Sequence, residues 1–516
     1  MRLFRSFSSV SALTLISRIL GLLRDVVLMA KFGASPAMDA FFVAFRLPNM
    51  LRRLFAEGAF AQAFVPILAR MREVEGDGPA RQLVGKVATL MAVVLLFVSV
   101  LGVMLSPYLV YLIASGYDYQ SETGDLTVQL VRLTFPYILF ISLTSLASSV
   151  LNTWGNFVVP AITPALLNVC FIFSALYLSP LFDPPILSLA IGVLLGGVAQ
   201  LIFQVPSLWK LGLIPKFSWS PKDSGVLQIL RKMGPAIFGV SVAQVSLLIN
   251  TSIATYLQPG SVSWLSVADR LMEFPVGLLG VAMATIMLPS LSSAVAQPDR
   301  RDYELLLSWG IRLLLIVLLP SVVGLVLLSP PIISILFVRG QFGADDALMT
   351  NYAFWGYGVG LLPIVMIKLF APIFYANQDT KTPVKIAVVA LISTQILNFI
   401  FLSTFPHYLK HAGLALAISF GAWINMMLLI FVLRRRSLFI NRSLWRPDMI
   451  RGLLATIPMA AFLIWSSDYL SLANRAGIEG LVLLFLIVLC GAITYFAGAL
   501  IMGVNLKSII KFKRIQ

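Results

Sequence analysis

Apolar runs long enough to cross a lipid bilayer recur from one end of the chain to the other, with only short stretches of Gly, Pro and charge between them. A hydrocarbon core about 30 Å thick needs ~20 helical residues to span it. It also offers no water to backbone N–H and C=O groups, so each run must satisfy its own hydrogen bonds, as a helix does. Composition agrees: 59% of the 516 residues are hydrophobic and 12% are charged, against about half and a quarter in soluble domains. The chain is therefore read as an all-α polytopic membrane protein. Fourteen transmembrane helices are expected, near 8–33, 38–68, 82–114, 126–152, 158–179, 185–209, 225–257, 262–295, 305–328, 345–375, 384–405, 412–434, 450–469 and 479–505. The first run has Arg2 and Arg5 ahead of it like a secretory signal. Arg18 and Arg24 interrupt its continuation and no A-x-A-type site follows, so it is read as a retained span.

The formal net charge of +16 would suggest nucleic acid in a soluble protein. Here it follows from the positive-inside rule, and no nucleic-acid partner is expected. Twenty-six of the 38 Lys and Arg fall on one side of the expected topology. Four, Lys31, Arg339, Lys410 and Arg475, fall on the other. Both termini are accordingly expected in the cytoplasm, with the acidic loop "GYDYQSETGD" outside. Cys170 and Cys490 lie in apolar runs, and His407 and His411 flank one short loop, so neither a structural disulfide nor a Cys or His metal centre is expected. There is no P-loop, no G-x-S-x-G and no H-E-x-x-H, and the chain is not read as an enzyme.

A weak internal repeat divides the chain. Pro66 matches Pro289 and Pro160 matches Pro383, while "AFRL" at 44–47 matches "ADRL" at 268–271. The first six spans thus resemble the second six, with a pseudo-twofold axis along the membrane normal. The expected organisation is an N-terminal lobe over 1–222, a C-terminal lobe over 223–440, and two extra helices with a cytoplasmic tail over 441–516.

Eight basic residues remain inside the expected spans: Arg18, Arg24, Arg46, Arg52, Arg53, Arg132, Arg270 and Lys368. A central arginine costs ~2.5–3.5 kcal/mol even on the lenient insertion scale, so six facing lipid would cost roughly 15–20 kcal/mol. They are expected to face a water-lined cavity or partners instead. At 100° per residue, Asp39, Arg46, Asn49, Arg53 and Glu57 share one stripe of the second span. Arg52 points elsewhere on an ideal helix, and Pro48 is expected to kink this one. Ser17, Gly21 and Arg24 share a stripe of the first span, with Arg18 and Asp25 on a neighbouring one. Ser263, Ser266, Arg270 and Glu273 align in the eighth, where Asp269 also lies. Some of these charges fit buried ion pairs that lock helices together, and Lys368 is balanced between a cavity cation and a packing residue. Cations nevertheless exceed the available carboxylates, which points to an anion, and the planar guanidinium fork suits phosphate oxygens.

The segments "SRILGLLRDVV", "DAFFVAFRLPNMLRRLFAEGAFAQAFVP", "VSWLSVADRLMEFPVGLLGVA" and "QDTKTPVKIA" resemble the MurJ (MviN) lipid II flippases over essentially the whole chain. The resemblance implies two six-helix lobes in a V, and two further helices carrying a hydrophobic groove for a lipid tail. It implies export of undecaprenyl-pyrophosphate-linked muropeptide across the bacterial inner membrane for peptidoglycan synthesis. The family's cavity arginines correspond to Arg18, Arg24, Arg52 and Arg270, and its other important positions to Asp25, Asp39, Asn49, Arg53, Glu57, Ser263 and Glu273. Some members bind sodium; the motif does not map residue by residue, and Asn377, Asp379 and Thr394 are the weak candidates here. No cofactor is expected, while coupling to membrane potential or a monovalent cation is open. Lipid II, membrane lipids and cell-wall synthesis proteins are the expected partners. Export of another polyprenyl-pyrophosphate-linked saccharide, drug efflux on the same fold, and a scaffold role remain as alternatives.

Overall fold

The computed structural model describes residues 2–53, 59–118, 120–280, 283, 287, 290–293, 301–438, 447–470, 472, 475 and 477–504. Helices account for nearly all regular structure among them, and a lone bridge between Arg339 and Phe342 is the extended pairing they contain. The chain packs as two compact units. One is Met1–Ser263 with Arg339–Phe342, the other Trp264–Val338 with Gly343–Gln516.

The first unit contains α1 (Arg2–Phe32), α2 (Pro36–Leu51), α3 (Ala59–Glu75), α4 (Asp77–Met104), α5 (Ser106–Ile113), α6 (Glu122–Thr134), α7 (Tyr137–Thr153), α8 (Val158–Phe173), α9 (Leu187–Lys210) and α10 (Ser224–Ala254). Sequence chemistry sets the helix starts. Ser35 caps α2 by accepting from Met38 N–H at 3.2 Å, with Pro36 in the first turn where its missing N–H costs nothing. Asp223 caps α10 by accepting from Gly225 N–H at 3.0 Å. Lys86 hydrogen-bonds the same carboxylate and, with these backbone donors, holds it below the usual carboxylate range against the opposing effect of burial. Helix α8 packs on α1 and α9, α7 on α9, and α3 on α4 and α10. Adjacent glycines make room on α9: a Cβ at Gly196 would lie 2.4 Å from Leu167, and one at Gly197 2.8 Å from Tyr137. Buried glutamines fasten the same region, with Gln204 Nε2 donating to Ser148 Oγ at 2.8 Å and Thr163 Oγ1 at 3.2 Å.

Helix α11 (Ser261–Pro275) begins at the unit boundary and passes into a π-helical turn, Val276–Gly280. The second unit continues with α12 (Arg301–Leu327), α13 (Ser329–Phe337), α14 (Ala344–Ala376), α15 (Lys381–Thr404), α16 (Lys410–Arg435), α17 (Pro447–Tyr469) and α18 (Gly477–Ile501). Its tightest pairing joins α14 to α16. A Cβ at Gly360 would lie 2.5 Å from Ser419 Oγ and 2.7 Å from its Cα, and one at Gly356 2.8 Å from Ala412 O. Ser419 Oγ closes the contact by donating to Gly356 O at 2.6 Å. Two glycines four apart against Ala and Ser is the small-residue interface by which membrane helices gain close packing without a hydrophobic driving force. Gly360→Leu is therefore expected to destabilise the protein by at least ~1–3 kcal/mol through overpacking. The check is a lower unfolding temperature in detergent than for Gly343→Leu, whose Cβ would meet nothing. The C-terminal pair α17–α18 packs on α12 through Ile316, Met459, Leu463 and Ile487, and Tyr495 Oη donates to Ile316 O at 2.7 Å.

Ten helical segments among the described residues are long and apolar enough to cross a membrane: Asp77–Met104, Glu122–Thr153, Val158–Leu181, Leu187–Lys210, Tyr303–Leu327, Ala344–Ala376, Lys381–Thr404, His407–Arg435, Met449–Tyr469 and Gly477–Ile501. They coincide with ten of the fourteen expected spans. The remaining four correspond to α1, α2 with α3, α10, and α11 with the π-helical turn at its end. Three of those carry every intramembrane arginine except Arg132, and the fourth, α10, holds Arg231 and Lys232 and a shorter apolar stretch, Gln244–Ala254.

Candidate functional site

The arginine cluster of the first unit is built by α1 against α8. Ser17, Gly21 and Arg24 lie one helical turn apart, as the stripe predicts, and Gly21 leaves room for Asn168 of α8, whose Nδ2 a Cβ there would meet at 3.6 Å. Asn168 Nδ2 donates to Ser17 O at 3.2 Å, while its Oδ1 accepts from Arg24 Nη1 at 3.1 Å. The Arg24 guanidinium also donates from Nε (2.9 Å) and Nη2 (2.6 Å) to Asp25 Oδ1, and its Cζ lies 5.3 Å from the centre of the Phe171 ring. Arg24 and Asp25 side chains are each 11% exposed. A charged fork is thus held in one orientation by a carboxylate, an amide and an aromatic ring. Arg18 is exposed and has no hydrogen-bond or ion-pair partner among the described residues.

On α2 the stripe holds in part. Pro48 lies inside the helix, and the backbone widens to π geometry at Arg52 and Arg53 just after Leu51. Arg52 N–H reaches both Pro48 O and Asn49 O. Its side chain folds back so that Nε (3.0 Å) and Nη2 (2.9 Å) both donate to Asn49 Oδ1. The ideal wheel puts Arg52 outside the stripe, yet Arg52 is the i+3 neighbour of Asn49 at the stripe's edge, close enough on an ordinary helix for its long side chain to fold back onto that amide. Arg46 is half-buried, with Nε enclosed and unpaired. Arg53 is half-buried and engaged with neighbours. Glu57 lies outside the described residues.

Asp39 sits elsewhere on the same helix and has a different job. It is buried, and its Oδ2 accepts from Gly260 N–H at 2.7 Å while Oδ1 accepts from Ser263 N–H at 2.8 Å and Ser263 Oγ at 2.6 Å. It therefore caps the first turn of α11, satisfying donors that have no intrahelical partner. Sequence reading places Asp39 and Ser263 in one substrate-facing set; the structure shows them bonded to each other.

In the second unit Arg270 Nη1 donates to Glu273 Oε2 at 2.9 Å, one turn along α11, with both side chains more than a third exposed. Asp269 is half-buried and engaged. Lys368 is half-buried on α14 and makes no ion pair or hydrogen bond among the described residues. The weak cation candidates each bond to other groups. Asp379 accepts from Thr382 N–H at 2.9 Å and Arg436 Nη1 at 2.6 Å. Burial pushes its carboxyl up, but these donors and the Thr382 hydroxyl outweigh it and hold the group at about 2. Asn377 Nδ2 donates to Ile373 O at 2.8 Å, and Thr394 Oγ1 to Ala390 O at 2.9 Å, well along α15. Asn168 and Phe171 escape a reading of the sequence alone. The one available signal is a single amide inside the apolar stretch "ALLNVCFIF".

The backbone of this all-α bundle matches an inward-facing multidrug resistance MATE transporter of the MOP superfamily with a TM-score of 0.68, covering 81% of this chain and 94% of that one at 16% identity, which shows the fold alone. The class the fold defines is thus a polytopic all-α membrane protein. A family model described as lipid II flippase MurJ matches residues 28–488. A lipid II flippase MurJ of Burkholderia cenocepacia is 45% identical over 469 residues, 90% of each chain. A probable lipid II flippase MurJ of Vibrio cholerae is 40% identical over 519 residues, 98% of each. A solved lipid II flippase MurJ in an inward closed conformation aligns with a TM-score of 0.80 at 28% identity, covering 96% of this chain and 99% of that one. The chain belongs to the MurJ family.

Proposed function

We propose that this protein is a lipid II flippase, exporting undecaprenyl-pyrophosphate-linked muropeptide from the cytoplasmic to the outer leaflet of the bacterial inner membrane for peptidoglycan synthesis. It is a transporter and performs no chemistry on its cargo. The observation that carries the reading is the Arg24 cluster, a nearly buried guanidinium oriented by Asp25, Asn168 and Phe171. Arg24, with Arg18 and Arg52, takes the pyrophosphate, and Arg270 is a second arginine position that the same anion meets during the cycle. Asp25 neutralises Arg24 while no substrate is bound, and pyrophosphate competes for the fork. Alternating access follows from the fold class. Both termini face the cytoplasm on this reading, because the lysine and arginine bias does.

Membrane potential favours the direction of export. A charge crossing the bilayer is worth ~2.3 kcal/mol per 100 mV, and an anion leaving a negative-inside compartment moves downhill. The unloaded arginines, returning inward, do so too. Cell-wall synthesis proteins are proposed partners, since exported substrate must be consumed outside. Arg270→Ala tests the function directly. Cells relying on that variant should hold lipid II in the cytoplasmic leaflet at normal protein levels, read as loss of its accessibility from outside. Unchanged accessibility would reject the assignment, as would wild-type protein that handles a different polyprenyl-pyrophosphate sugar in preference to lipid II.

A further inference from the structure

We infer that Lys368 binds a carboxylate of the cargo's peptide stem, and that Gly280 is the positioning residue that sets its ammonium in place; this rests on the lipid II reading above. Lys368 lies in the interior of α14 between Val365, Leu369 and Phe370, all buried, in a stretch that otherwise reads as a plain membrane span. A lysine there is expensive, ~2.5–3.5 kcal/mol at a bilayer centre, and is normally offset by a carboxylate. None pairs with it among the described residues. On α11, Glu273 is bonded to Arg270.

What fixes Lys368 is backbone. A Cβ at Gly280 would lie 2.6 Å from Lys368 Cδ, 3.3 Å from Cε and 3.7 Å from Cγ. The stem therefore crosses the bare backbone at the last residue of the π-helical turn Val276–Gly280. A side chain at Gly280 would force the Lys368 stem to shift. A cation whose stem lies against bare backbone, with no counter-charge among the described residues, is arranged to receive one.

The type of anion follows from residue choice and spacing. Arginine forks match the several oxygens of a pyrophosphate, whereas an ammonium is a compact point charge suited to a single carboxylate. Gly280 lies ten residues beyond Arg270 on a continuous helical path, about 15 Å at 1.5 Å per residue. With the pyrophosphate at Arg270, that distance is covered by a sugar ring and about three extended peptide residues at ~3.3–3.6 Å each. The peptide's carboxylates, not the sugars' hydroxyls, are the groups a lone ammonium would select.

The test uses the purified full-length protein in lipid nanodiscs and three ligands: lipid II with free stem carboxylates, lipid II with them amidated, and undecaprenyl pyrophosphate with no head group. Wild type should favour the free carboxylate form by about five- to tenfold, the range of one charge-assisted hydrogen bond. Lys368→Met should erase that preference while leaving undecaprenyl pyrophosphate binding unchanged, and Lys368→Arg should keep most of it. Gly280→Ala, whose Cβ would displace the Lys368 stem, should weaken the preference while the ammonium itself is retained. Equal loss for all three ligands in Lys368→Met would overturn the inference, as would a preference that survives it. Wild type that binds neither form of lipid II would overturn the flippase reading along with it.

Discussion

Arg24→Ala is expected to stop export altogether while the protein still inserts and folds. The side chain gives three donors to Asp25 and Asn168 and lies over Phe171. Its removal deletes an oriented, nearly buried fork of the first unit. Stability should suffer little by comparison, because Asp25 loses its partner in the same step that its neighbourhood gains room for water. Arg24→Lys should fail almost as badly, since an ammonium cannot serve the Asp25 carboxylate and the Asn168 amide with fixed forked geometry. Asn168→Ala is the gentler companion. It keeps the charge and loosens its aim, so export should fall by about tenfold, the worth of a 1.4 kcal/mol hydrogen bond. The measurement is rescue of cells depleted of their own flippase, with protein amount checked in the membrane fraction. Full rescue by Arg24→Ala would remove Arg24 from the mechanism.

Asp39→Leu should act on stability first. The buried carboxylate satisfies two backbone N–H groups and one hydroxyl at the start of α11. Leucine strands all three, and an unsatisfied buried donor costs about 1–3 kcal/mol, so a loss of about 3–9 kcal/mol is expected. Asp39→Asn separates charge from geometry. Its amide oxygen can still serve Ser263, but its NH2 meets the Gly260 N–H donor to donor, so roughly half of that loss remains. Thermal unfolding in detergent reads both variants. A Leu variant as stable as wild type would mean that the cap is dispensable.

The helices and the arginines set inside apolar runs are legible in sequence because both signals are local. A twenty-residue apolar run and an arginine inside it need no knowledge of the fold to be costed. The stripe of Ser17, Gly21 and Arg24 is legible for the same reason. Asn168 and Phe171 are not, because their meaning depends on a contact with α1 across 144 residues of sequence. An ideal wheel leaves Arg52 outside the stripe because it tracks where a side chain starts, whereas this long one folds back one turn to Asn49. Asp39 shows the converse case. Its residue type and depth match the substrate-facing set, yet its oxygens are used to cap α11. The separation of 224 between Asp39 and Ser263 equals the offset of "AFRL" from "ADRL". An aspartate of one copy thus grips the start of the equivalent helix in the other, a relation the repeat contained but did not announce.

The tight seam between α14 and α16 has a consequence for biosynthesis. Gly356 and Ser419 are 63 residues apart, and α15 must be made and inserted between them. At ~5–20 residues per second, α14 spends about 3–13 s in the membrane before its partner exists. Throughout that interval its small-residue groove and the lone ammonium of Lys368 face whatever surrounds the nascent chain. Ribosome release of the later helices, not the chemistry of α14 itself, therefore sets the earliest moment at which the second unit can close, and chains truncated before Ser419 should be the ones that membrane proteases recognise.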